Sequence, residues 1–420
     1  MKKLLVLEVA ALGADLLAQA NVQTLAGLPV QRMAPVFPAV TCTAQATLRT
    51  ALAPAAHGMW ANGRYFRETM STAFWNQSAG LVHGERVWSQ ARQQGARVGL
   101  YFFQQSLGEA ADEIVSPAPI HTHGGGLIMA TYQKPSGVLG IENPVPLWRY
   151  WGPLASPKAG WGIVQALMQR LARGDAPELL FAYLPTLDYD LQRFGPDHPR
   201  AAASLRLAIA QIEALAAAAR RQGYAVVIAG DYAIEAVQPG ADFEAVAFPN
   251  RALRASGLFA TRAVRAMAYP DFYRSRAVAV CDHQVALLYV LDASAASAAC
   301  DTLSALPQVE RLLPGPGGEG PDWIAVARPG CWFAWPWWRE QAEAPDYAAH
   351  VDIHNKPGFD PCELFFGRVP WRISQDVRRV RGTHGRAQGP GTAVAYASEV
   401  ALGAPQEACA FAQALQQCMC

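Results

Sequence analysis

A strand, a long helix and a second strand follow one another in the middle of the chain, and this order constrains the fold most. The segment ELLFAYL, 178–184, is a continuous apolar run, typical of a strand buried on both faces. Pro199–Arg221 has a helical pattern rich in Ala and Leu, and YAVVIA, 224–229, is the next apolar run. Because a strand–helix–strand unit forms a right-handed crossover, the two strands are predicted to lie parallel in one sheet.

Both predicted strands are followed by an aspartate. Asp188 lies in the loop PTLDYD after the first strand, and Asp231 lies in GDY directly after the second. Ligand-binding loops of open parallel sheets lie at the carboxyl ends of the strands. Asp188 and Asp231 are therefore predicted to share one functional edge of the sheet.

Further apolar segments extend this sheet. We predict strands at Leu4–Ala11, Val36–Val40, Arg97–Gln104 and Ala393–Ser398. Between residues 241 and 379 the pattern changes to short strands with a smaller helix candidate. The prediction is a three-layer α/β/α core with a mostly parallel sheet, formed by residues 1–240 and 380–420, and an inserted α+β cap lobe at 241–379.

Composition argues against several classes of function. The 420 residues are 51% hydrophobic and 16% charged, so a large core is expected rather than disorder. The net charge is +1 and no basic block stands out, which argues against nucleic-acid polymers and against a polybasic membrane contact. The partner expected instead is a small molecule.

The cysteines and the first residues predict a cytoplasmic location. Eight cysteines are scattered without a zinc-ribbon spacing, as expected of thiols in a reducing compartment. The opening segment MKKLLVLEVAALGADLLAQA resembles a signal peptide, but Glu8 interrupts its apolar run and favours a first buried strand. No apolar run approaches the length of a membrane span, and the sequence does not determine the oligomeric state.

Thr41 begins a second candidate feature. It follows the apolar run VFPAV and precedes the helical segment TAQATLRTAL. A hydroxyl at a helix N-terminus lies beside unpaired N–H groups and the positive end of the helix dipole, where a phosphate binds readily. The alternative is that Thr41 or Thr43 is only the N-cap of the helix.

Oxygen and imidazole groups recur at the predicted sheet edge. Asp188 and Asp231 follow strands, and His384 lies in a Thr-His-Gly turn. Such ligands suit Zn²⁺ or a similar divalent ion, and ions a few ångströms apart hold phosphoryl groups in many hydrolases. An Asp after a strand is also a common turn residue, so it is the combination that indicates a metal site.

These motifs resemble those of the alkaline phosphatase superfamily, in the branch of nucleotide pyrophosphatases/phosphodiesterases and phosphonoacetate hydrolase. The resemblance extends from about residue 4 to residue 398. It rests on five phrases of this sequence, which are FPAVT at 37–41, HGMWAN at 57–62, DYDLQ at 188–192, GDYA at 230–233 and THG at 383–385.

The resemblance implies a role for each matched residue. Thr41 would be the nucleophile, Asn62 would shape the pocket, and Asp188, Asp231 and His384 would hold the metal. The implied cofactor is a divalent ion, Zn²⁺, with no organic cofactor. Three other family ligand positions carry different residues here, namely Ala10, Gln192 and Tyr232. The remaining set suits one ion better than two, since Gln and Tyr are poor zinc ligands.

Other histidines and one glutamate are weaker candidates. His354, in DIHNKPGFDP, is either an added metal ligand or a loop histidine bonded to the backbone. His121 and His123 precede three glycines on an irregular loop, where a structural role is favoured. Glu8 lies two residues before Ala10, on the same strand face, and could replace a lost ligand together with His354.

Two functional hypotheses follow. The first is a metal-dependent hydrolase of phosphate mono- or diesters, with Thr41 attacking phosphorus in a small phosphorylated substrate. The second is a non-hydrolytic protein that binds a phosphorylated or lipid-linked metabolite in a bacterial biosynthetic pathway. The substituted ligand positions Ala10, Gln192 and Tyr232 motivate the second hypothesis.

Overall fold

The computed structural model describes residues 3–369 and 371–419. Its strands are β1 Lys3–Val9, β2 Thr24–Leu25, β3 Leu28–Pro29, β4 Gln31–Met33, β5 Gly63–Phe66, β6 Ser71–Phe74, β7 Val98–Tyr101, β8 Glu113–Pro117, β9 Ile120–His121, β10 Leu127–Ile128, β11 Thr131–Lys134, β12 Leu179–Leu184, β13 Tyr224–Gly230, β14 Glu235–Ala236, β15 Val246–Ala247, β16 Thr261–Val264, β17 Met267–Pro270, β18 Ala277–Asp282, β19 Val285–Val290, β20 Val309–Pro314, β21 Trp323–Ala327, β22 Trp332–Phe333, β23 Gly382–Thr383 and β24 Val394–Ser398.

The α-helices are α1 Ala14–Gln19, α2 Thr41–Thr50, α3 Pro54–His57, α4 Ser89–Gln93, α5 Ala159–Ala172, α6 Asp188–Phe194, α7 Pro199–Arg221, α8 Pro249–Ala255, α9 Ala296–Ser304 and α10 Ala408–Met419. Short 3₁₀ turns occupy Ala79–Leu81, Leu147–Arg149, Ala293–Ala295, Gln341–Glu343, Asp346–Ala349, Pro361–Leu364 and Val377–Arg379.

One eight-stranded sheet is the centre of the first compact unit. Its strand order is β11-β8-β7-β12-β1-β13-β24-β4. The strands from β8 to β13 are parallel, whereas β11, β24 and β4 are each antiparallel to their neighbours. All side chains of β12 are buried, as expected for a strand covered on both faces. The predicted α/β core with a mostly parallel sheet is confirmed.

The chain divides into two compact units at different boundaries from those expected. The first unit comprises residues 1–59, 77–234 and 387–420, and the second comprises residues 60–76 and 235–386. The sequence predicts the lobe at 241–379 and does not assign residues 60–76 to it. These residues include the β5–β6 hairpin, whose four-residue strands carry no sign in the sequence of the unit they join.

The second unit is built on an antiparallel sheet. Its strand order is β18-β19-β21-β20, and α8 and α9 pack against this sheet. Trp335, Trp337 and Trp338 are buried in the same unit, with ring centroids 4.9–5.4 Å apart. This cluster contributes apolar area to the unit's interior.

Most strand predictions are correct within a few residues, but Val36–Val40 is wrong. This segment is irregular, because Pro38 has no N–H for a sheet and its carbonyl accepts the Val40 N–H at 3.1 Å in a tight turn. The turn leads directly into α2. The irregular segment thus delivers Thr41 to the start of a helix without an intervening strand.

In the described part of the chain, α7 is long and apolar enough, by length and composition alone, to cross a membrane. Half of its most apolar window is buried, and Leu205, Ile212 and Leu215 belong to the core around the large sheet. A core helix passes the same length and hydropathy test, so α7 is weak evidence for a membrane span.

Candidate active site

The carboxyl ends of three neighbouring strands lie side by side in the first unit. Val9, the last residue of β1, pairs with Leu184 at the end of β12 and with Gly230 at the end of β13. Asp231 follows directly after β13, and α6 begins at Asp188 after a short turn. The two aspartates therefore occupy the sheet edge at which the sequence places them.

Thr41 is the first helical residue of α2 and not its cap. The N-cap is Val40, which has an extended backbone and provides no side-chain hydrogen bond. Thr41 and Thr43 are both buried, with 4% and 0% of their surfaces exposed. The capping alternative therefore does not explain Thr41.

Tyr232 lies between Thr41 and Asp188. The Thr41 side chain is close enough to both Tyr183 and Tyr232 to lower the pKa of their phenols, against the larger effect of burial. The Tyr232 hydroxyl in turn donates to Asp188 Oδ1 at 2.8 Å. Burial raises the pKa of both tyrosines well above the usual value, so their phenols stay protonated at neutral pH.

Asp188 is held by two neutral donors. In addition to Tyr232, the Gln192 amide donates to the same Oδ1 atom one helical turn along α6. Burial raises the pKa of Asp188, while these two hydrogen bonds oppose the shift. Gln192 and Tyr232 thus act here as partners of the carboxylate.

Asp231 is also engaged by the chain itself. Its Oδ1 accepts the N–H of Ala11 at 3.0 Å and the N–H of Tyr232 at 2.7 Å. Its Oδ2 lies 3.5 Å from the Tyr183 hydroxyl. Burial, and next the charge of Glu8, raise the pKa of Asp231 well above its usual value.

Glu8 is a further buried acid of this unit, and the sequence indicates it only as a substitute ligand. Its pKa is raised to about 8 by burial, against the opposing charge of Arg49 and the nearby Gln45 amide. Arg49 and Gln45 both belong to α2 and are fully buried. Glu8 therefore joins β1 to the helix that carries Thr41.

In the second unit, His384 is adjacent to a histidine that lies outside the sequence motifs. The His283 and His384 rings are 3.8 Å apart between centroids and tilted by 33°. His283 occupies the tight β18–β19 turn with φ of +55°, a conformation that a non-glycine residue rarely adopts. Burial, and next the proximity of His384, lower the pKa of His283 well below its usual value.

Asn62 holds a buried carboxylate in the second unit. Its backbone N–H donates to Asp282 Oδ2 at 2.7 Å, and its side-chain amide donates to Asp282 Oδ1 at 3.2 Å. His354 hydrogen-bonds through Nδ1 to the carbonyl of Trp75 at 3.0 Å. This contact is the backbone bond that the alternative for His354 describes.

The donor set does not fit a bound divalent ion. Among residues 3–369 and 371–419, no group of three or more His, Cys, Asp or Glu side chains is placed to hold a metal. Asp188 Oδ1 and Asp231 Oδ1 each accept two hydrogen bonds from the protein. A zinc site normally has three or four side-chain ligands, and the described residues of the sheet edge do not provide such a set.

The large sheet and the residues at its edge define an α/β protein of the alkaline-phosphatase-like class. The family model of type I phosphodiesterase/nucleotide pyrophosphatase matches residues 4–360. The chain therefore belongs to this family of phosphodiesterase- and pyrophosphatase-type hydrolases.

A solved structure agrees with this assignment at the level of the fold. The chain is similar to murine ectonucleotide pyrophosphatase/phosphodiesterase 5, with a TM-score of 0.62 and 13% sequence identity. The match covers 100% of this chain and 95% of that one. A search of curated proteins found no match.

Proposed function

We propose that this chain hydrolyses a phosphate ester of a small molecule at the sheet edge of the first unit, with Thr41 as the nucleophile. The observation that carries the proposal is the placement of Tyr232, whose hydroxyl donates to Asp188 and which lies beside the Thr41 side chain. Membership of the family supports the reaction class. The start of α2 supports phosphate binding, because its N–H groups and helix dipole favour an anion.

The reaction needs only groups of this chain and water. The Thr41 oxygen forms a bond to phosphorus while the bond from phosphorus to the leaving oxygen breaks. The Thr41 proton passes to Tyr232 as Tyr232 gives its own proton to Asp188, and the leaving group departs as an anion. Water then attacks phosphorus and the bond from phosphorus to the Thr41 oxygen breaks. The Thr41 oxygen takes back a proton from Asp188 through Tyr232, and the proton lost by the water is released to solvent.

The family resemblance implies a divalent ion, yet the residues present do not fit one. Purified protein is expected to hold less than one equivalent of Zn²⁺, measured by elemental analysis. Hydrolysis of bis(p-nitrophenyl) phosphate is expected to survive EDTA and to disappear in Thr41→Ala. Activity that requires added Zn²⁺, or that Thr41→Ala retains, would exclude the proposed mechanism.

The second candidate is a protein that binds a phosphorylated metabolite without cleaving it. It is favoured by the same three positions, Ala10, Gln192 and Tyr232, where the resemblance expects ligands. Calorimetry with the slowly cleaved probe phenyl phosphate separates the candidates. Binding that persists in Thr41→Ala and in EDTA, with no phenol released over a day, supports the binding protein over the hydrolase.

A further inference from the structure

An open cavity in the second unit is lined by four arginines. Its volume is about 780 Å³, within the usual range of small-molecule sites. The lining arginines are Arg368, Arg372, Arg378 and Arg379. Among the described lining residues, Asp376 is the one carboxylate beside the four arginines.

Two of these arginines are already fixed by neighbouring groups. Arg378 forms a two-point contact with Asp376, at 2.8 and 3.1 Å. Arg379 donates to the Phe366 carbonyl at 2.6 Å and lies over the Phe365 ring at 4.6 Å. Asp376 is therefore used by Arg378 and does not neutralise the others.

The other two arginines are available to a ligand. Within residues 3–369 and 371–419, the guanidinium groups of Arg368 and Arg372 make no hydrogen bond or ion pair, and both side chains are exposed. They lie on one folded-back segment, in which Phe366 pairs with Ile373 and the Gly367 N–H donates to the Arg372 carbonyl at 2.7 Å. This pairing brings the backbones on either side of the turn together, and Arg368 and Arg372 both line the cavity.

The remaining lining adds apolar area and an acceptor. Phe366, Val369 and Ile373 contribute apolar surface to the cavity. The Oε1 atom of Gln375 is buried, with no hydrogen-bond partner in the described part of the chain. A ligand hydroxyl or amino group would satisfy this acceptor.

We propose that this cavity binds a multiply phosphorylated small molecule, and that the guanidinium groups of Arg368 and Arg372 donate hydrogen bonds to its phosphoryl oxygens. Guanidinium groups match phosphate oxygens with two parallel hydrogen bonds, which a diffuse positive surface does not provide. The cavity volume of about 780 Å³ is in the range of sites for small molecules. This site is independent of the reaction at Thr41.

The test is calorimetry of the full-length chain with inorganic pyrophosphate as the probe. Arg368→Gln/Arg372→Gln is expected to weaken pyrophosphate binding by about tenfold or more, because two charge-assisted contacts are lost. The matched control is Arg262→Gln/Arg265→Gln, which removes two exposed arginines from the β16–β17 hairpin of the same unit. This control is expected to change binding by less than about twofold. Equal weakening in both pairs, or none in either, overturns the proposal.

Three further experiments locate the binding, test the role of the guanidinium groups and identify the partner. Pyrophosphate binding is expected to persist in Thr41→Ala; loss there would assign it to the first unit and overturn the proposal. Arg368→Lys/Arg372→Lys keeps the charge and is expected to lose affinity several-fold, whereas full affinity would contradict recognition by the guanidinium fork. Binding to phosphatidylserine vesicles that requires Arg368 and Arg372, without pyrophosphate binding, would replace the small molecule with a membrane surface.

Discussion

At the scale of single residues, Tyr232 links the hydroxyl of Thr41 to a buried acid. Its backbone N–H also binds Asp231, so one residue contacts both aspartates of the sheet edge. The family resemblance implies a metal ligand at this position. Tyr232 instead provides a phenol that donates a hydrogen bond to Asp188. In the structure this position forms a hydrogen bond to a carboxylate.

Replacing Tyr232 tests this link. Tyr232→Phe keeps the ring and removes the hydroxyl that joins Thr41 to Asp188. Because proton transfer by a positioned group contributes about 100-fold or more, kcat for bis(p-nitrophenyl) phosphate should fall by about that factor with little change in KM. Tyr273→Phe, at an exposed tyrosine of the second unit, is the control. Unchanged kcat in Tyr232→Phe would contradict the proton path.

His57 makes stability sensitive to acid. Its Nδ1 accepts the Met59 N–H at 3.1 Å, and its Nε2 lies 3.0 Å from the Thr47 hydroxyl. A proton on Nδ1 would break the first of these bonds. Burial, and next the charge of Arg49, lower the pKa of His57 from 6.5 to about 3. Neutral His57 is therefore required by the folded state.

The sign of the pH effect follows from the lowered pKa. Below pH 6.5 the His57 side chain takes up a proton in the unfolded chain but stays neutral in the folded chain. Stability that is present above pH 6.5 is therefore lost as the pH falls toward about 3. His57→Gln removes the titration and can keep both hydrogen bonds. The free energy of unfolding of this variant, from urea titrations at several pH values, should decrease less than that of the unmodified protein as the pH is lowered. Parallel curves for the two proteins would refute a role for His57.

At the scale of elements, α7 shows how local chemistry defines a helix. The structure places it at Pro199–Arg221, as the sequence predicts, because Pro199 suits the first turn and Gly223 just beyond its end adopts φ of +79°. The His198 side chain caps the helix by accepting the Arg200 N–H. The strand predicted at Val36–Val40 is wrong, since the apolar pattern of that segment conceals the turn at Pro38.

Adjacent residues of α7 differ in burial, which allows a paired test of its packing. Ile212 is fully buried and Glu213 is exposed. Ile212→Ala should lower the free energy of unfolding by about 2–5 kcal/mol through lost burial and a cavity. Glu213→Ala should change it by about 0.5 kcal/mol or less. Urea unfolding measures both, and equal effects would mean that α7 does not pack as described.

At the scale of the whole molecule, the sequence predicts the fold better than the site. Apolar runs and their order are sufficient for the parallel sheet, because burial on both faces requires continuous apolar strands. The sequence also orders Thr41, Asp188 and Asp231 along one edge. The hydrogen bonds of these residues involve Tyr183 and Tyr232. Tyr183 lies in an apolar strand, and nothing in the sequence distinguishes it from an ordinary core residue.

Contacts between distant parts of the sequence explain what the apolar pattern does not predict. His283 meets His384 across about a hundred residues, and no local pattern marks that pair. The four arginines that line the cavity of the second unit lie within residues 368–379, yet the overall net charge of +1 conceals them. Such clusters depend on how loops fold back on themselves, which apolar periodicity does not encode.

Catalysis by Thr41 without a metal requires a covalent intermediate on its hydroxyl, and a search for that intermediate is the decisive experiment. The EDTA-treated protein is mixed with bis(p-nitrophenyl) phosphate, quenched in acid within the first turnover and analysed by intact-mass and peptide mass spectrometry. A p-nitrophenyl phosphoryl adduct is expected on the peptide containing Thr41, and none is expected in Thr41→Ala. Hydrolysis with no adduct on that peptide, or an adduct that Thr41→Ala retains, would contradict the proposed mechanism.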